Sequence, residues 1–169
     1  QDDEEQLEKK KIGVILGKAE TEESVDRIAG LKDGLEGSGC EILWEYNYAR
    51  GNQNTSEIIA SKKQVDYLVI LDNWALEEVG EAAEENKYHG AKIYGVGSSE
   101  KAIVLLDNQN IECLVVPDDY ETGYMSMNEI AKKLRHSFYK MNSCETEVRI
   151  INKEDLYSKD LERFLYSYE

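Results

Sequence analysis

Five short runs of β-branched and other apolar residues recur along the chain, and each is followed by a stretch with the spacing of a helix. The repeat distance is close to that of one strand plus one helix. The runs cover residues 12–16, 41–46, 67–71, 92–96 and 112–116. Strands in this rhythm pair in parallel through right-handed helical crossovers. The chain is therefore predicted to be an α/β protein with a three-layer, doubly wound and mainly parallel sheet.

The helical stretches supply the outer layers of this fold. Two of them carry apolar stripes at helical spacing, made of Val25, Ile28, Ala29 and Leu35 in one and Leu76, Val79, Ala82 and Ala83 in the other. Thr21 is the predicted N-cap of the first, with Gly37 and Gly39 at its end. A sixth strand-like run, residues 147–151, follows an apolar helix predicted within 123–140.

These elements predict one domain with two flanking segments. The domain spans residues 11–151, and residues 1–10 are an acidic leader or the end of a preceding helix. Residues 152–169 carry enough apolar side chains, including Leu156, Leu161 and Phe164, to predict a tail that packs on the domain. A chain of 169 residues is long enough for one core of this kind.

Charge and composition narrow the classes of partner. The net charge of −15 opposes binding to nucleic acids and anionic membranes, because such binding relies on Lys and Arg neutralising phosphates. Residues 1–10 are charged, unlike a signal peptide. Cys40, Cys113 and Cys144 lack the short spacing of zinc or redox motifs, so they are interpreted as small core residues.

Candidate binding residues follow the predicted strands, because ligands of open α/β sheets bind at the carboxyl ends of the strands. Glu22 lies in the segment after the first strand, and Asp118 follows the fifth. The third strand is followed by Asp72, Asn73 and Trp74, and the fourth by Gly97, Ser98 and Ser99.

Each of these groups has a functional and a structural interpretation. Asp72 and Asn73 suit hydrogen bonding to a polyol, or they cap the following helix. Trp74 is a stacking surface for the apolar face of a sugar, or it is a core residue. Ser98 and Ser99 hold an anion or a hydroxyl group at a helix N-terminus, or one of them is only a cap.

No pattern of residues predicts catalysis, a metal site or a cofactor. His89 and His136 have no further ligand at metal-binding spacing. The chain has no Gly-x-Ser-x-Gly turn, and Gly13–Lys18 lacks the spacing and the hydroxyl of a phosphate-binding loop. The chain is therefore predicted to be a binding domain and not an enzyme.

Several segments together resemble the carboxy-terminal lobe of sugar-type periplasmic binding proteins and the related effector domains of lactose-repressor-type regulators. The segments are Ile12–Ile15, Asp26–Leu31, Val65–Asn73, Ile93–Gly97, Asn110–Pro117 and Thr122–Tyr124. The resemblance implies a sugar or other polar solute as ligand, with Asp72 and Asn73 at the ligand and Arg27 in the family's Arg-x-x-Gly helix. Gly97, Pro117 and Val25 replace residues that commonly bind sugar in the family. These departures imply a different ligand or a lobe that has lost its site.

The resemblance also implies partners and a location. Family members close two lobes around the ligand, so a second lobe or a homodimer partner is expected to cover the 123–140 helix. A solute receptor outside the cytoplasm, serving a membrane transporter or sensor, is the leading hypothesis. The alternatives are an intracellular effector-binding module of a transcription regulator and a vestigial lobe that acts in protein–protein interaction.

Overall fold

A computed structural model of the chain describes residues 9–18, 21–51, 54–83, 86–117 and 148–157. In this part of the chain, strands and helices alternate up to the fifth strand. The elements are β1 (Lys11–Leu16), α1 (Glu22–Leu35), β2 (Glu41–Asn47), α2 (Thr55–Ser61), β3 (Tyr67–Ile70), α3 (Asn73–Ala82), β4 (Lys92–Val96), α4 (Glu100–Asp107), β5 (Cys113–Pro117) and β6 (Val148–Ile151). A short 3-10 helix, Lys153–Tyr157, follows β6.

The strands form one sheet in the order β2-β1-β3-β4-β5-β6. The first five strands are parallel, and β6 runs antiparallel to β5 at the edge. The prediction of a doubly wound, mainly parallel sheet is therefore confirmed. Because β2 lies on one side of β1 and β3 on the other, the direction of winding changes between β1 and β3. In open α/β sheets, this switch point is where a crevice forms.

Side chains alternate between the two faces of the sheet, and each face buries one apolar cluster. On one face, Leu31 and Leu35 of α1 pack with Leu71, which follows β3, and with the strand residues Ile12, Val14, Leu16, Val69, Val96 and Val115. On the other face, residues of α2, α3 and α4, including Ile59, Leu76, Val79, Leu105 and Leu106, pack with Ile15, Leu68, Ile70, Ile93 and Leu114. Helices on both faces give the three predicted layers.

The predicted stripe of α1 was wrong at Val25. Its side chain is 55% exposed, and the buried residues of α1 are Gly30, Leu31, Gly34 and Leu35. Leu31 lies three residues after Ile28 and four before Leu35, so these three share the face that meets the sheet. The stripe therefore runs through Leu31, and Val25 lies outside it.

Other predicted features have mixed outcomes. Thr21 is the N-cap of α1, since its hydroxyl accepts a hydrogen bond from the Ser24 amide, and α1 ends at Leu35 before Gly37. Cys113 is buried and Cys40 half-buried, and neither forms a disulfide within the described part of the chain, whereas Cys144 lies outside the described residues. The 123–140 helix also lies outside them. At the start of the predicted tail, Leu156 packs against the core, and the domain boundaries stay predictions.

Candidate ligand-binding site

All five parallel strands end at one edge of the sheet, here called the carboxyl rim. The rim consists of Gly17–Lys18 after β1, Tyr48–Arg50 after β2, Leu71–Trp74 after β3 and Gly97–Ser99 after β4. It includes the switch point between β1 and β3. Sequence reasoning selected Asp72, Asn73, Trp74, Ser98 and Ser99 here, and the fold brings them to this edge.

Asp72 both caps a helix and extends across to β1. Its Oδ1 accepts a hydrogen bond of 2.9 Å from the Ala75 amide, which makes Asp72 the N-cap of α3. Its Oδ2 lies over Gly17, where an added Cβ would be only 2.9 Å from that oxygen and 3.4 Å from the Ser24 hydroxyl. One carboxylate oxygen is therefore used by the helix, and the other lies at the switch point between β1 and β3.

Asn73 and Ser99 are joined through Glu77, a residue of α3 that sequence reasoning did not select. Glu77 Oε1 accepts a bond of 3.0 Å from Asn73 Nδ2 and one of 2.6 Å from the Ser99 hydroxyl. Ser99 also caps α4, because its oxygen accepts from the Ala102 amide at 3.1 Å. The loops after β3 and β4 are thus linked by side chains that are only partly exposed.

Ser98 and Glu22 are exposed at the rim. Ser98 precedes the cap residue of α4, and its hydroxyl contacts no hydrogen-bonding group among the described residues. Glu22 lies in the first turn of α1 with its side chain in solvent. Of the two neighbouring serines, Ser99 serves the helix and Ser98 is accessible to a ligand.

Trp74 is not a core residue, since its side chain is 48% exposed. The Arg50 guanidinium, from the segment after β2, lies over the indole ring at 3.8 Å from its centroid. Such a cation–π contact contributes on the order of 0.5–1 kcal/mol at an exposed site. The ring face predicted to stack on a sugar therefore carries Arg50, and a ligand approaching that face meets the guanidinium first.

Tyr48 brings a mostly buried side chain to the same part of the rim, near Arg50 and Asp72. Its backbone amide donates to the Leu16 carbonyl at 2.8 Å, which fixes the start of the loop after β2 against β1. Burial raises the pKa of Tyr48 to about 12, assisted by a hydrogen bond to Glu78 and by the negative charges of Glu78 and Asp72, while Arg50 acts in the opposite direction. Tyr48 is therefore a neutral hydroxyl at physiological pH.

Arg27 lies below the rim surface. Its guanidinium donates to the Leu71 carbonyl at 2.6 Å and forms an ion pair with Glu23, one turn earlier in α1. Its Nε is buried and has no hydrogen-bond partner among the described residues. Arg27 thus holds α1 against the end of β3, with its side chain mostly buried. Asp118 lies outside the described residues.

Sequence reasoning missed Glu77, Arg50 and Tyr48. Glu77 has one usable signal, because it lies one helical turn after Asn73, where side chains meet. Arg50 and Tyr48 carry no such signal, since their position beside α3 depends on how β2 pairs with β1.

The opposite edge of the sheet has a shallow recess, lined by Trp44, Lys63, Tyr88 and neighbouring residues, that is too small for more than a water molecule.

The described residues lack two features, a membrane-spanning helix and a metal-binding cluster. None of their helices is long and apolar enough to cross a membrane. They also contain no cluster of three or more His, Cys, Asp or Glu side chains suited to a metal ion.

Comparison with known proteins identifies the family. The model of the family described as "Periplasmic binding protein domain" matches residues 4–137, about four fifths of the chain. The chain belongs to this family. Periplasmic binding proteins are non-catalytic solute receptors, so the prediction of a binding domain that is not an enzyme is confirmed. No curated protein sequence matches the chain.

Solved structures show the same fold. One is a carbohydrate transporter solute-binding protein from Agrobacterium radiobacter in complex with D-arabinose, with TM-score 0.66, 19% identity, and coverage of 93% of this chain and 55% of that one. A second is an ABC transporter solute-binding protein from Bacillus halodurans with bound myo-inositol (0.66, 15%, 94% and 55%). A third is the XylFII-LytSN complex (0.64, 16%, 87% and 54%). The periplasmic binding domain described here therefore spans about half the length of these chains.

Proposed function

We propose that the carboxyl rim binds a small polar solute, such as a sugar or polyol, as one lobe of a solute receptor outside the cytoplasm. The observation that carries this proposal is the meeting of polar groups from the ends of β3 and β4 beside the switch point, where the end of β1 contributes Gly17. Asp72 Oδ2 lies over Gly17 at the end of β1, and Asn73 and Ser99 share the Glu77 carboxylate. A small number of fixed polar groups at a strand-end crevice is typical of ligand sites.

The charges of the rim favour an uncharged ligand rich in hydroxyl groups. Asp72, Glu22, Glu77 and Glu78 all lie at or near this edge, whereas the exposed cations there are Lys18 and Arg50. Carboxylates accept hydrogen bonds and donate none, so they suit the hydroxyl donors of a polyol. An anionic ligand would have to approach against this surplus of negative charge.

The second half of the site is expected to come from another lobe. The chain spans about half the length of neighbours that were solved with D-arabinose and with myo-inositol bound. We propose that this chain corresponds to the carboxy-terminal lobe and that a second lobe, or a second copy, covers the rim and the helix that the sequence predicts within 123–140. Two of these neighbours are transporter solute-binding proteins, and XylFII forms a complex with LytSN. A membrane transporter or sensor is the corresponding partner proposed here.

The test is titration calorimetry of the full chain with D-arabinose, myo-inositol, sorbitol and D-gluconate, comparing wild type with Asp72→Asn and Ser98→Ala. Asn caps helices about as well as Asp, so Asp72→Asn removes the charge while keeping the cap. We expect saturable binding of at least one neutral polyol, weaker binding in both variants, and weaker binding of gluconate than of sorbitol.

Two outcomes would count against the proposal. Equal affinity in wild type and both variants would place the ligand elsewhere. Absence of heat from every compound at millimolar concentration would favour a lobe that acts in protein–protein interaction.

A further inference from the structure

The Glu77 carboxylate is not needed to cap either α3 or α4. Asp72 already satisfies the Ala75 amide at the start of α3, and Ser99 satisfies the Ala102 amide at the start of α4. The two bonds to Glu77 Oε1 are made in addition to these caps. They connect the loop after β3 with the loop after β4, which no cap does.

The same carboxylate decides which way the Asn73 amide points. With Nδ2 donating to Glu77, Oδ1 is directed at Gly97, where it lies so close to the Cα that a side-chain carbon at position 97 would overlap it. The reverse orientation would place Oδ1 against a carboxylate oxygen, and two acceptors repel each other. Hydrogen bonds to a charged group contribute about 1.5–3 kcal/mol, enough to fix one orientation almost completely.

We propose that Glu77 is a positioning residue for the rim, which sets the orientation of the Asn73 amide and holds the Asn73 and Ser99 loops at a fixed separation. Ser98 lies between Gly97 and Ser99, so the link also sets where the exposed Ser98 hydroxyl faces. This inference rests on the proposed function of the rim. Glu77 acts through Asn73 and Ser99 and need not touch the ligand.

The chain offers a matched control on the same helix. Glu81 lies one turn after Glu77 and forms an ion pair of 2.8 Å with Lys101 of α4. Glu81 thus also joins α3 to α4 through a carboxylate, but it is more exposed and contacts neither Asn73 nor Ser99. Glu81→Ala removes an α3–α4 contact without touching the rim.

The first arm of the test needs no ligand. In amide NMR spectra of the full chain, Glu77→Ala is expected to shift the side-chain NH2 signals of Asn73 and the backbone amide of Ala102, whose acceptor is the Ser99 hydroxyl. Glu77→Gln, which keeps an acceptor oxygen, is expected to shift them less. Glu81→Ala should leave both in place. Unchanged Asn73 and Ala102 signals in Glu77→Ala would overturn the inference.

The second arm measures affinity for D-arabinose and myo-inositol. Glu77→Ala is expected to weaken binding about tenfold, the loss that corresponds to about 1.4 kcal/mol. Glu77→Gln should restore most of the affinity, and Glu81→Ala should bind as wild type does. Wild-type affinity in Glu77→Ala, or an equal loss in Glu81→Ala, would contradict the positioning role. If wild type binds neither compound, the proposed function fails for these solutes, and the NMR arm still decides whether Glu77 fixes the two loops.

Discussion

The carboxyl rim has an inner and an outer layer that differ in how their side chains are engaged. The inner layer consists of Asp72, Asn73, Glu77 and Ser99, which are partly buried and bonded to one another or to helix amides. The outer layer consists of Glu22, Arg50, Trp74 and Ser98, which are exposed apart from the ring face that Arg50 covers. The inner layer sets the geometry of the rim, and the outer layer is what an arriving solute meets.

Substitutions in the inner layer should therefore cost stability, and those in the outer layer should not. The adjacent serines make the contrast sharpest, since Ser99 has two hydrogen-bond partners and Ser98 has none among the described residues. If substitutions in the two layers changed the unfolding free energy equally, this division of the rim into layers would be wrong.

The largest effect is expected from Gly97→Ala. The new methyl group would overlap Asn73 Oδ1 and come within 3.3 Å of Leu76 Cδ2, so the inner layer must shift. Overpacking of this kind costs about 1–3 kcal/mol, measured as the free energy of unfolding in urea. Gly17→Ala is the control, because its closest contact is the end of the Asp72 side chain at 2.9 Å, and a smaller loss is expected. A greater loss of unfolding free energy for Gly17→Ala than for Gly97→Ala would show that position 17 is the more crowded of the two.

A smaller effect is expected from Ser99→Ala. Ser99→Ala removes the hydrogen bond to Glu77, which water can replace because Glu77 is partly exposed, and it removes the α4 cap. Loss of the cap costs about 1 kcal/mol and corresponds to a fall in Tm of roughly 2–4 °C for a chain of this size. Ser98→Ala should change the unfolding free energy by less than about 0.5 kcal/mol. Thermal melts of the two variants side by side decide the point. Equal losses at both positions would show that the two serines share one role.

A loss of stability below that of Ser99→Ala is expected from Arg50→Ala. It removes only the cation–π contact with Trp74, about 0.5–1 kcal/mol at most at an exposed site. Its effect should instead be seen in the tryptophan emission, because the guanidinium no longer covers the indole. Trp74→Phe identifies the Trp74 contribution against that of Trp44. An emission spectrum unchanged by Arg50→Ala would show that the two side chains do not stack.

The fold followed from the sequence because its signal is local. Central parallel strands are buried on both faces, so β1 and β3 appear as continuous apolar runs. The location of the rim followed as well, since it needs only the strand ends. The prediction that Val25 packs on the sheet was wrong, because the predicted stripe did not include Leu31. The face of α1 that meets the sheet runs through Leu31, and Val25 lies outside that face.

The arrangement within the rim could not be read in the same way. The sequence could not show whether Asp72 caps a helix or extends to β1. In the structure it does both, because one carboxylate oxygen accepts from the Ala75 amide and the other lies over Gly17. The hydrogen bond that Ser99 donates to Glu77 joins residues 22 positions apart, and the Arg50–Trp74 contact depends on the pairing of β1 with β2. Such tertiary contacts leave no pattern in a single sequence.

The central claim is that the carboxyl rim is where a solute binds. The most direct test is a titration of the isotopically labelled full chain with myo-inositol and D-arabinose, followed by amide NMR. We predict saturable shifts at Gly17, at residues 72–74 and at residues 97–99, with residues 62–65 at the opposite edge of the sheet unchanged. Saturable shifts confined to residues 62–65, or none at the rim at saturating solute, would contradict the account.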